Sequence, residues 1–111
     1  MTDCCQVATT VATESAAAVL SEVLVDERLA ACVQVIGPIR STYRWKGAVE
    51  KSSEWLCLAK TATTRLPALC DRIRSLHSYE QPEIVATPIT GGDADYLDWV
   101  KRETSPDPER S

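Results

Sequence analysis

The sequence predicts an α+β domain of the split β-α-β type, the ferredoxin-like arrangement, with a long central hairpin and a C-terminal helix. Two segments carry apolar residues at helical spacing, and four segments alternate or are rich in β-branched residues. Their order is β-α-β-β-α-β followed by a short helix, which is typical of this fold. The 111 residues are close to the commonest size of one domain, so residues 1–102 are predicted to form it. The polar, proline-broken segment 103–111 is predicted to be a disordered tail.

The N-terminal quarter predicts one strand and one helix. Residues 4–12 alternate weakly and indicate a short strand. Thr13 has the residue type that caps helix N-termini, and Glu14 in the first turn suits the helix dipole. A helix of about four turns is predicted from residues recurring at spacings of three and four: Ala16, Leu20, Val23, Leu24, Glu27, Ala30 and Ala31.

The central segment predicts a long hairpin. Residues 32–36 and 39–45 indicate one strand, which Gly37-Pro38 interrupts as a bulge would. Gly47 supplies the turn, and residues 49–61 return as the second strand. Both strands exceed the usual five or six residues. The domain's own helices cannot cover such a hairpin, so its distal half is predicted to pair with another subunit.

The C-terminal third predicts a second helix, a short strand and a third helix. Thr63 or Thr64 begins the second helix, and Pro67 is tolerated in its first turn. Its buried stripe is predicted to comprise Leu66, Leu69, Cys70, Ile73 and Leu76. Residues 84–89 indicate the strand, and residues 94–102 the last helix.

Composition excludes several classes of function. A net charge of −4 argues against nucleic-acid binding, which needs a basic face. No apolar run approaches the roughly 20 residues that span a bilayer, so no membrane association is expected. Five scattered cysteines indicate reduced thiols, and no secretory signal pattern opens the chain, so a cytoplasmic location is predicted. No nucleophile–base pair is visible, so a non-enzymatic role is predicted.

Six features, in this order, resemble the CutA divalent-cation tolerance family over roughly residues 6–102. They are Ala30-Ala31-Cys32, Tyr43-x-Trp45-x-Gly47, Glu54, Lys60-Thr61, His77-x-Tyr79-x-x-Pro82-Glu83 and Gly92-Asp93-x-Asp95-Tyr96-x-x-Trp99. The resemblance implies a ferredoxin-like fold and a tight homotrimer built by edge-strand pairing between subunits. It also implies an association with tolerance of copper and other divalent metals.

Cys32, His77 and Glu83 are the predicted metal ligands. The resemblance implies thiols at the end of the first strand and after the first helix, and a histidine near the end of the second helix. Thr9 occupies the first position here, Cys32 the second and His77 the third. Glu83 could add a hard oxygen ligand. Because only Cys32 and His77 of the family pattern remain in one subunit, too few for a tight site, weak binding of Cu or Zn without an obligatory cofactor is predicted. The structural alternatives are a core role for Cys32, helix capping by His77 and a solvated loop at Glu83.

Glu54, Lys60, Tyr43 and Tyr79 are the predicted ligand-binding residues. Glu54 and Lys60 lie an even number of residues apart on one strand, so both point to the same face, among leucines. Charged groups there need partners. An ion pair between strands or subunits is one interpretation, and a pocket for a small anion using Lys60 is another. The alternative function is therefore a trimeric small-ligand sensor with an inter-subunit anion-binding cleft.

Overall fold

The computed structural model describes residues 2–106 and confirms the α+β class with a long hairpin and a C-terminal helix. The strands are β1 (Cys4–Val11), β2 (Cys32–Trp45), β3 (Ala48–Ala62) and β4 (Val85–Pro88). The helices are α1 (Glu14–Asp26), α2 (Leu66–Leu76, after a 3-10 turn at Thr63–Arg65) and α3 (Ala94–Glu103). The sheet order is β2-β3-β1-β4, and every neighbouring pair is antiparallel. None of the helices in residues 2–106 has both the length and the hydropathy that a membrane crossing requires.

The core lies mainly on the sheet face covered by α1 and α2, here called the α1/α2 face. Buried residues of one cluster come from β1, β3 and both helices: Val7, Val11, Ala17, Leu20, Leu24, Cys57, Ala59, Leu69 and Ile73. Because side chains alternate along a strand, Glu54, Leu56, Leu58 and Lys60 of β3 point to the opposite face. Helix α3 covers one end of that opposite face, where Leu97 and Val100 pack against Cys4.

Helix α1 begins as predicted and ends earlier. The Thr13 Oγ1 atom accepts a hydrogen bond of 3.1 Å from the backbone N–H of Ala16, so Thr13 is the N-cap. The last helical residue is Asp26, because Arg28 adopts a left-handed conformation with φ of 60°. The backbone N–H groups of Leu29 and Ala30 then both donate to the carbonyl of Leu24. The predicted continuation of the helix to Ala31 is therefore wrong, although Ala30 and Ala31 are buried.

The hairpin turn forms at Lys46 and Gly47, between the paired residues Trp45 and Ala48. Both turn residues have positive φ, 49° and 84°, as a two-residue hairpin turn matching the strand twist requires. Strand β1 ends where Val11 pairs with Trp55. Beyond that point β2 and β3 continue toward the turn without a third strand, which confirms that the hairpin is long.

Gly37 marks the predicted bulge. The register of β2 against β3 shifts between Ile36 and Ile39. A Cβ atom built on Gly37 would approach the Trp55 ring to 2.4 Å, which real side chains do not tolerate. Glycine is therefore required for close approach of the bulged backbone to the indole ring.

The C-terminal helix extends past residue 102. Helix α3 includes Glu103, and Thr104 is fully buried. The Thr104 hydroxyl donates to the Val100 carbonyl at 2.8 Å and accepts from the Ala62 N–H at 3.4 Å. The structure thus differs from the predicted tail boundary at residue 103, because these contacts fix the end of α3. The rest of the predicted tail, residues 107–111, lies outside the described residues.

Candidate functional site

An open cleft of about 1040 Å³ lies beside the distal half of the hairpin. Its walls are residues 41–45 of β2, residues 52–54 of β3 and the loop 78–83, with Thr10 and Ala12 at the end of β1. It is called the hairpin cleft below. The loop reaches this position because α2 ends at Leu76 and the chain then crosses the end of β1.

Glu54 is the buried acid of the hairpin cleft, with 6% of its surface exposed. The Tyr79 hydroxyl donates a hydrogen bond of 2.8 Å to Glu54 Oε2. Within residues 2–106, no lysine, arginine or histidine nitrogen forms an ion pair with this carboxyl group. The pKa of Tyr79 is raised to about 12, mainly by burial. The hydrogen bond to Glu54, the negative charge of Glu54 and the nearby Tyr43 phenol raise it further, in that order. Tyr79 therefore stays protonated and acts as the donor.

His77 fixes the loop that carries Tyr79. Its Nε2 atom lies 2.7 Å from the Thr10 carbonyl oxygen, which only accepts, so Nε2 carries the proton and donates. Its Nδ1 atom accepts a hydrogen bond of 3.2 Å from the Tyr79 backbone N–H. The two rings are 4.7 Å apart. Both nitrogens are thus occupied, and His77 positions Tyr79 against Glu54.

The structure does not bring the predicted metal ligands together within one chain. Cys32 pairs with Lys60, whereas Thr10, which binds His77, pairs with Leu56. Four residues of strand separate these positions, or about 13 Å. Glu83 lies in the hairpin cleft, and no group of three or more His, Cys, Asp or Glu residues in the described part of the chain can hold a metal.

Thr9 does not complete a site with Cys32 either. Thr9 pairs with Cys57 on the α1/α2 face and is 1% exposed. Cys32 pairs with Lys60, so it lies on the opposite face. Two residues on opposite faces of a sheet cannot bind one ion.

Three of the four predicted ligand-binding residues meet at the hairpin cleft, and Lys60 does not. Tyr43 lines the cleft beside Glu54 and Tyr79, and its hydroxyl lies 3.4 Å from Ser52 Oγ. Lys60 shares the face of Glu54, as predicted, but six residues of strand place it about 20 Å away. Its Nζ atom donates to Gln34 Oε1 at 2.7 Å. No Glu54–Lys60 ion pair forms within the chain.

Sequence reasoning missed Thr10 and Arg44, which also line the hairpin cleft. Thr10 is 6% exposed, and its carbonyl binds His77. The signal for Thr10 was its place near the end of β1, but only the pairing of Thr10 with Leu56 puts it on the sheet face of Glu54, diagonal to that residue. Arg44 is exposed and makes no ion pair within the described residues.

The fold and the site define a small α+β protein whose overlong hairpin carries a cleft around one buried acid. The profile of the family described as "CutA1 divalent ion tolerance protein" matches residues 5–103. The chain belongs to this family, and the resemblance noted in the sequence is confirmed.

Individual relatives agree with the family match. The divalent-cation tolerance protein CutA of Thermus thermophilus is 46% identical over 95 residues, covering 86% of this chain and 92% of that protein. Protein CutA of Homo sapiens is 44% identical over 82% of this chain, which spans about half (51%) of the human protein's length. The crystal structure of CutA from Xylella fastidiosa superimposes with a TM-score of 0.91 at 36% identity, covering 94% of this chain and 100% of that one.

Proposed function

We propose that this protein serves divalent metal-ion tolerance, above all tolerance of copper, as a non-enzymatic homotrimer that binds metal ions weakly. The observation that carries the proposal is the family match over residues 5–103. The Thermus thermophilus relative is named for divalent-cation tolerance, and it matches most of this chain.

The arrangement of ligands supports weak binding without an obligatory cofactor. Tight Zn²⁺ or Cu⁺ sites use three or four converging donors. Here Cys32 stands apart from His77, and both nitrogens of His77 are hydrogen-bonded. A divalent ion would therefore bind with few ligands from one subunit, such as Glu83, and with groups from a neighbouring subunit.

Growth under copper stress tests the proposed function. A copper-sensitive bacterial strain lacking its own family member is transformed with this chain or with an empty vector. We expect the chain to raise the copper concentration at which growth stops, with no difference in the absence of added metal. Identical copper limits at verified protein expression would contradict the proposal.

We propose a ferredoxin-like homotrimer assembled by strand pairing between subunits. The strand order β2-β3-β1-β4 supports the ferredoxin-like grouping, because β3 lies between the two strands that α1 connects. The 14-residue β2 is an edge strand, and natural proteins rarely leave such an edge uncovered. Large apolar side chains along it are exposed, namely Val35, Ile36, Tyr43 and Trp45. Sedimentation equilibrium should give three subunits, and a monomer at micromolar concentration would contradict the assembly.

A small-ligand sensor is the second candidate function, with an anion held at Lys60 near a subunit boundary. Lys60 supports it, because no carboxylate in residues 2–106 pairs with its ammonium group and its partner is the amide of Gln34. We expect phosphate or glutarate to raise the melting temperature of the protein. Lys60→Ala should remove this shift, and chelators should leave it unchanged. A shift that survives Lys60→Ala would reject Lys60 as the anion site.

We also propose a cytoplasmic location. The five cysteines form no disulfide, which fits a reducing compartment. Three of them, Cys4, Cys5 and Cys57, are buried, and burial raises the pKa of each of these thiols. Cell fractionation of the native host tests this, and recovery outside the cytoplasm would contradict it.

A further inference from the structure

The side chain of His77 joins the end of α2 to β1. The backbone becomes extended at His77 (φ −83°, ψ 140°), so the chain leaves the helix there. The backbone N–H of His77 donates to the Arg74 carbonyl at 3.3 Å and so caps the helix. The imidazole reaches away from α2 to the Thr10 carbonyl oxygen, 2.7 Å from Nε2. The side chain therefore makes a contact between two elements and leaves the capping of α2 to the backbone.

The bond to Thr10 also decides which nitrogen of the imidazole carries the proton. A carbonyl oxygen only accepts hydrogen bonds, so Nε2 is protonated and donates. A neutral imidazole has one such proton, which leaves Nδ1 with a lone pair. That lone pair accepts the Tyr79 backbone N–H at 3.2 Å. The one donor and the one acceptor of the ring are therefore both in use.

These two bonds hold the beginning of the loop after α2, and the loop in turn contacts the hairpin. The Tyr79 hydroxyl donates to Oε2 of the buried Glu54 at 2.8 Å. A second contact of the loop with the hairpin, between Lys46 and Glu80 at 3.7 Å, is exposed on both sides and contributes little. The position of the loop thus depends mainly on Tyr79, and the position of Tyr79 depends on His77.

The same ring does not fit the divalent ion that the family implies. A histidine ligand binds a metal through one nitrogen and usually donates its other N–H to a carbonyl or a carboxylate. The bond from Nε2 of His77 to Thr10 has this form, so Nδ1 is the nitrogen left for an ion. Nδ1 faces the Tyr79 N–H, whose positive end repels a cation. The described residues also contain no group of three or more His, Cys, Asp or Glu that could hold a metal ion.

We propose that His77 is a positioning residue, which ties β1 to Tyr79 as a neutral imidazole protonated at Nε2, and that it is not a ligand of the divalent ion. The part of this proposal that concerns metal rests on the metal-binding function proposed above. It leaves carboxylates and groups of a neighbouring subunit as the donors of the metal site. The anchoring of the loop stands apart from it, because the hydrogen bonds of His77 form within one chain without a metal ion.

NMR of the imidazole nitrogens tests the proposal in the full wild-type chain. His77 is the only histidine of the sequence, so its two ring resonances are identified without mutation. At about pH 7.5 an imidazole of ordinary pKa, about 6.5, is neutral. We expect a protonated Nε2 and an unprotonated Nδ1, and both resonances should stay in place as Zn²⁺ is added. A protonated Nδ1, or an Nδ1 resonance that shifts in step with Zn²⁺ saturation, would overturn the proposal.

Two variants separate the anchoring of the loop from metal binding. His77→Gln keeps a side-chain donor and acceptor but removes the imidazole, and His77→Phe keeps a ring but removes both groups. Hydrogen exchange of the Tyr79 amide measures the anchoring, since its acceptor is Nδ1. The Tyr96 amide is the matched control, because it also donates to a side chain, Asp93 Oδ2 at 3.0 Å. Circular dichroism verifies that each variant is folded.

We expect the Tyr79 amide to exchange about two- to tenfold faster in His77→Phe than in the wild type, as for the loss of one hydrogen bond. His77→Gln should restore part of the protection, and the Tyr96 amide should exchange at one rate in all three chains. The Zn²⁺ affinity measured by calorimetry should also be the same in all three chains.

Unchanged exchange of the Tyr79 amide in His77→Phe would reject the anchoring role. A Zn²⁺ affinity weakened about tenfold or more in both variants would identify His77 as a ligand and overturn the proposal. If the wild type binds no Zn²⁺ at millimolar concentration, the metal-binding function fails, and the nitrogen resonances and the Tyr79 exchange still decide the anchoring role.

Discussion

The Tyr79 hydroxyl donates a 2.8 Å hydrogen bond to Glu54 Oε2 and so joins the loop after α2 to the distal hairpin. His77 holds the loop in place through the Thr10 carbonyl and the Tyr79 N–H. The contact therefore couples three separate elements, β1, β3 and the loop, at the wall of the hairpin cleft. Its chemistry leaves a measurable signature in the ionisation of Tyr79.

The phenol absorbance of the protein should report a tyrosine that ionises last. The pKa of Tyr79 is raised to about 12 by burial, the hydrogen bond to Glu54 and the charge of Glu54. Glu54→Gln removes that charge, so the pKa of Tyr79 should fall toward its ordinary value. Ultraviolet titration of wild type, Glu54→Gln and Tyr79→Phe measures this. If the wild type and Tyr79→Phe gave the same absorbance change at the alkaline end of the titration, the assignment of the highest tyrosine pKa to Tyr79 would be contradicted.

Alkaline stability should depend on the same hydroxyl. The pKa of Tyr79 is higher in the folded chain than its ordinary value of 10.0, so folding favours the protonated phenol. This contribution is fully present below pH 10 and is lost as the pH rises through about 12. The difference in unfolding free energy between wild type and Tyr79→Phe should shrink across that window. Urea unfolding at a series of alkaline pH values checks it, and a pH-independent difference would exclude the linkage.

Gly37→Ala should destabilise the protein because the added Cβ meets the Trp55 ring at 2.4 Å. Overpacking of this kind costs about 1–3 kcal/mol, which urea unfolding can measure. Gly91→Ala is the matched control, since a Cβ there meets no atom within 4 Å. Trp55→Leu should make the Gly37→Ala penalty smaller in a double-mutant cycle. Equal stability of the Gly37→Ala and Gly91→Ala variants would disprove the close approach.

Gly47→Val should disturb the hairpin turn more than Gly91→Val does. Gly47 has a φ of 84°, which a β-branched residue adopts only with strain. A Cβ atom at this position meets no other atom within 4 Å, so the cost comes from the backbone conformation and not from a clash. The expected loss is about 1–2 kcal/mol of unfolding free energy. Weaker association of the proposed trimer is also expected, because the turn ends the exposed β2 edge. Identical melting temperatures and sedimentation of the two variants would refute this.

Local patterns in the sequence predicted the elements well. The Thr13 cap, the Lys46-Gly47 turn and the bulge at Gly37 each depend on neighbouring residues, and each is observed. The predicted end of α1 was too late, because the chain turns at Arg28 in a left-handed conformation. Glycine usually signals such a helix end, and this position is an arginine.

The candidate site could be predicted only in part. Strand alternation placed Glu54 and Lys60 on one face, but the same six-residue spacing keeps them about 20 Å apart. The Tyr79–Glu54 and His77–Thr10 contacts join residues 25 and 67 positions apart, and they depend on where the loop crosses β1. Periodicity contains no information about that crossing, so the hydrogen bonds of both His77 nitrogens could not be predicted from the sequence. The role of His77 as a metal ligand stays a prediction from the family resemblance.

The central claim is that the protein binds divalent metal ions weakly. Calorimetric titration of the metal-free protein with Cu²⁺ tests this claim most directly. The register position of Cys32 lies four residues, or about 13 Å, along the strands from that of Thr10, which binds His77, and Thr9 lies on the other face. One subunit therefore offers no converging thiol–imidazole set. We expect micromolar or weaker affinity for Cu²⁺, and Thr9→Cys should not tighten it. A nanomolar site with one Cu²⁺ per subunit, surviving His77→Ala, would contradict the account.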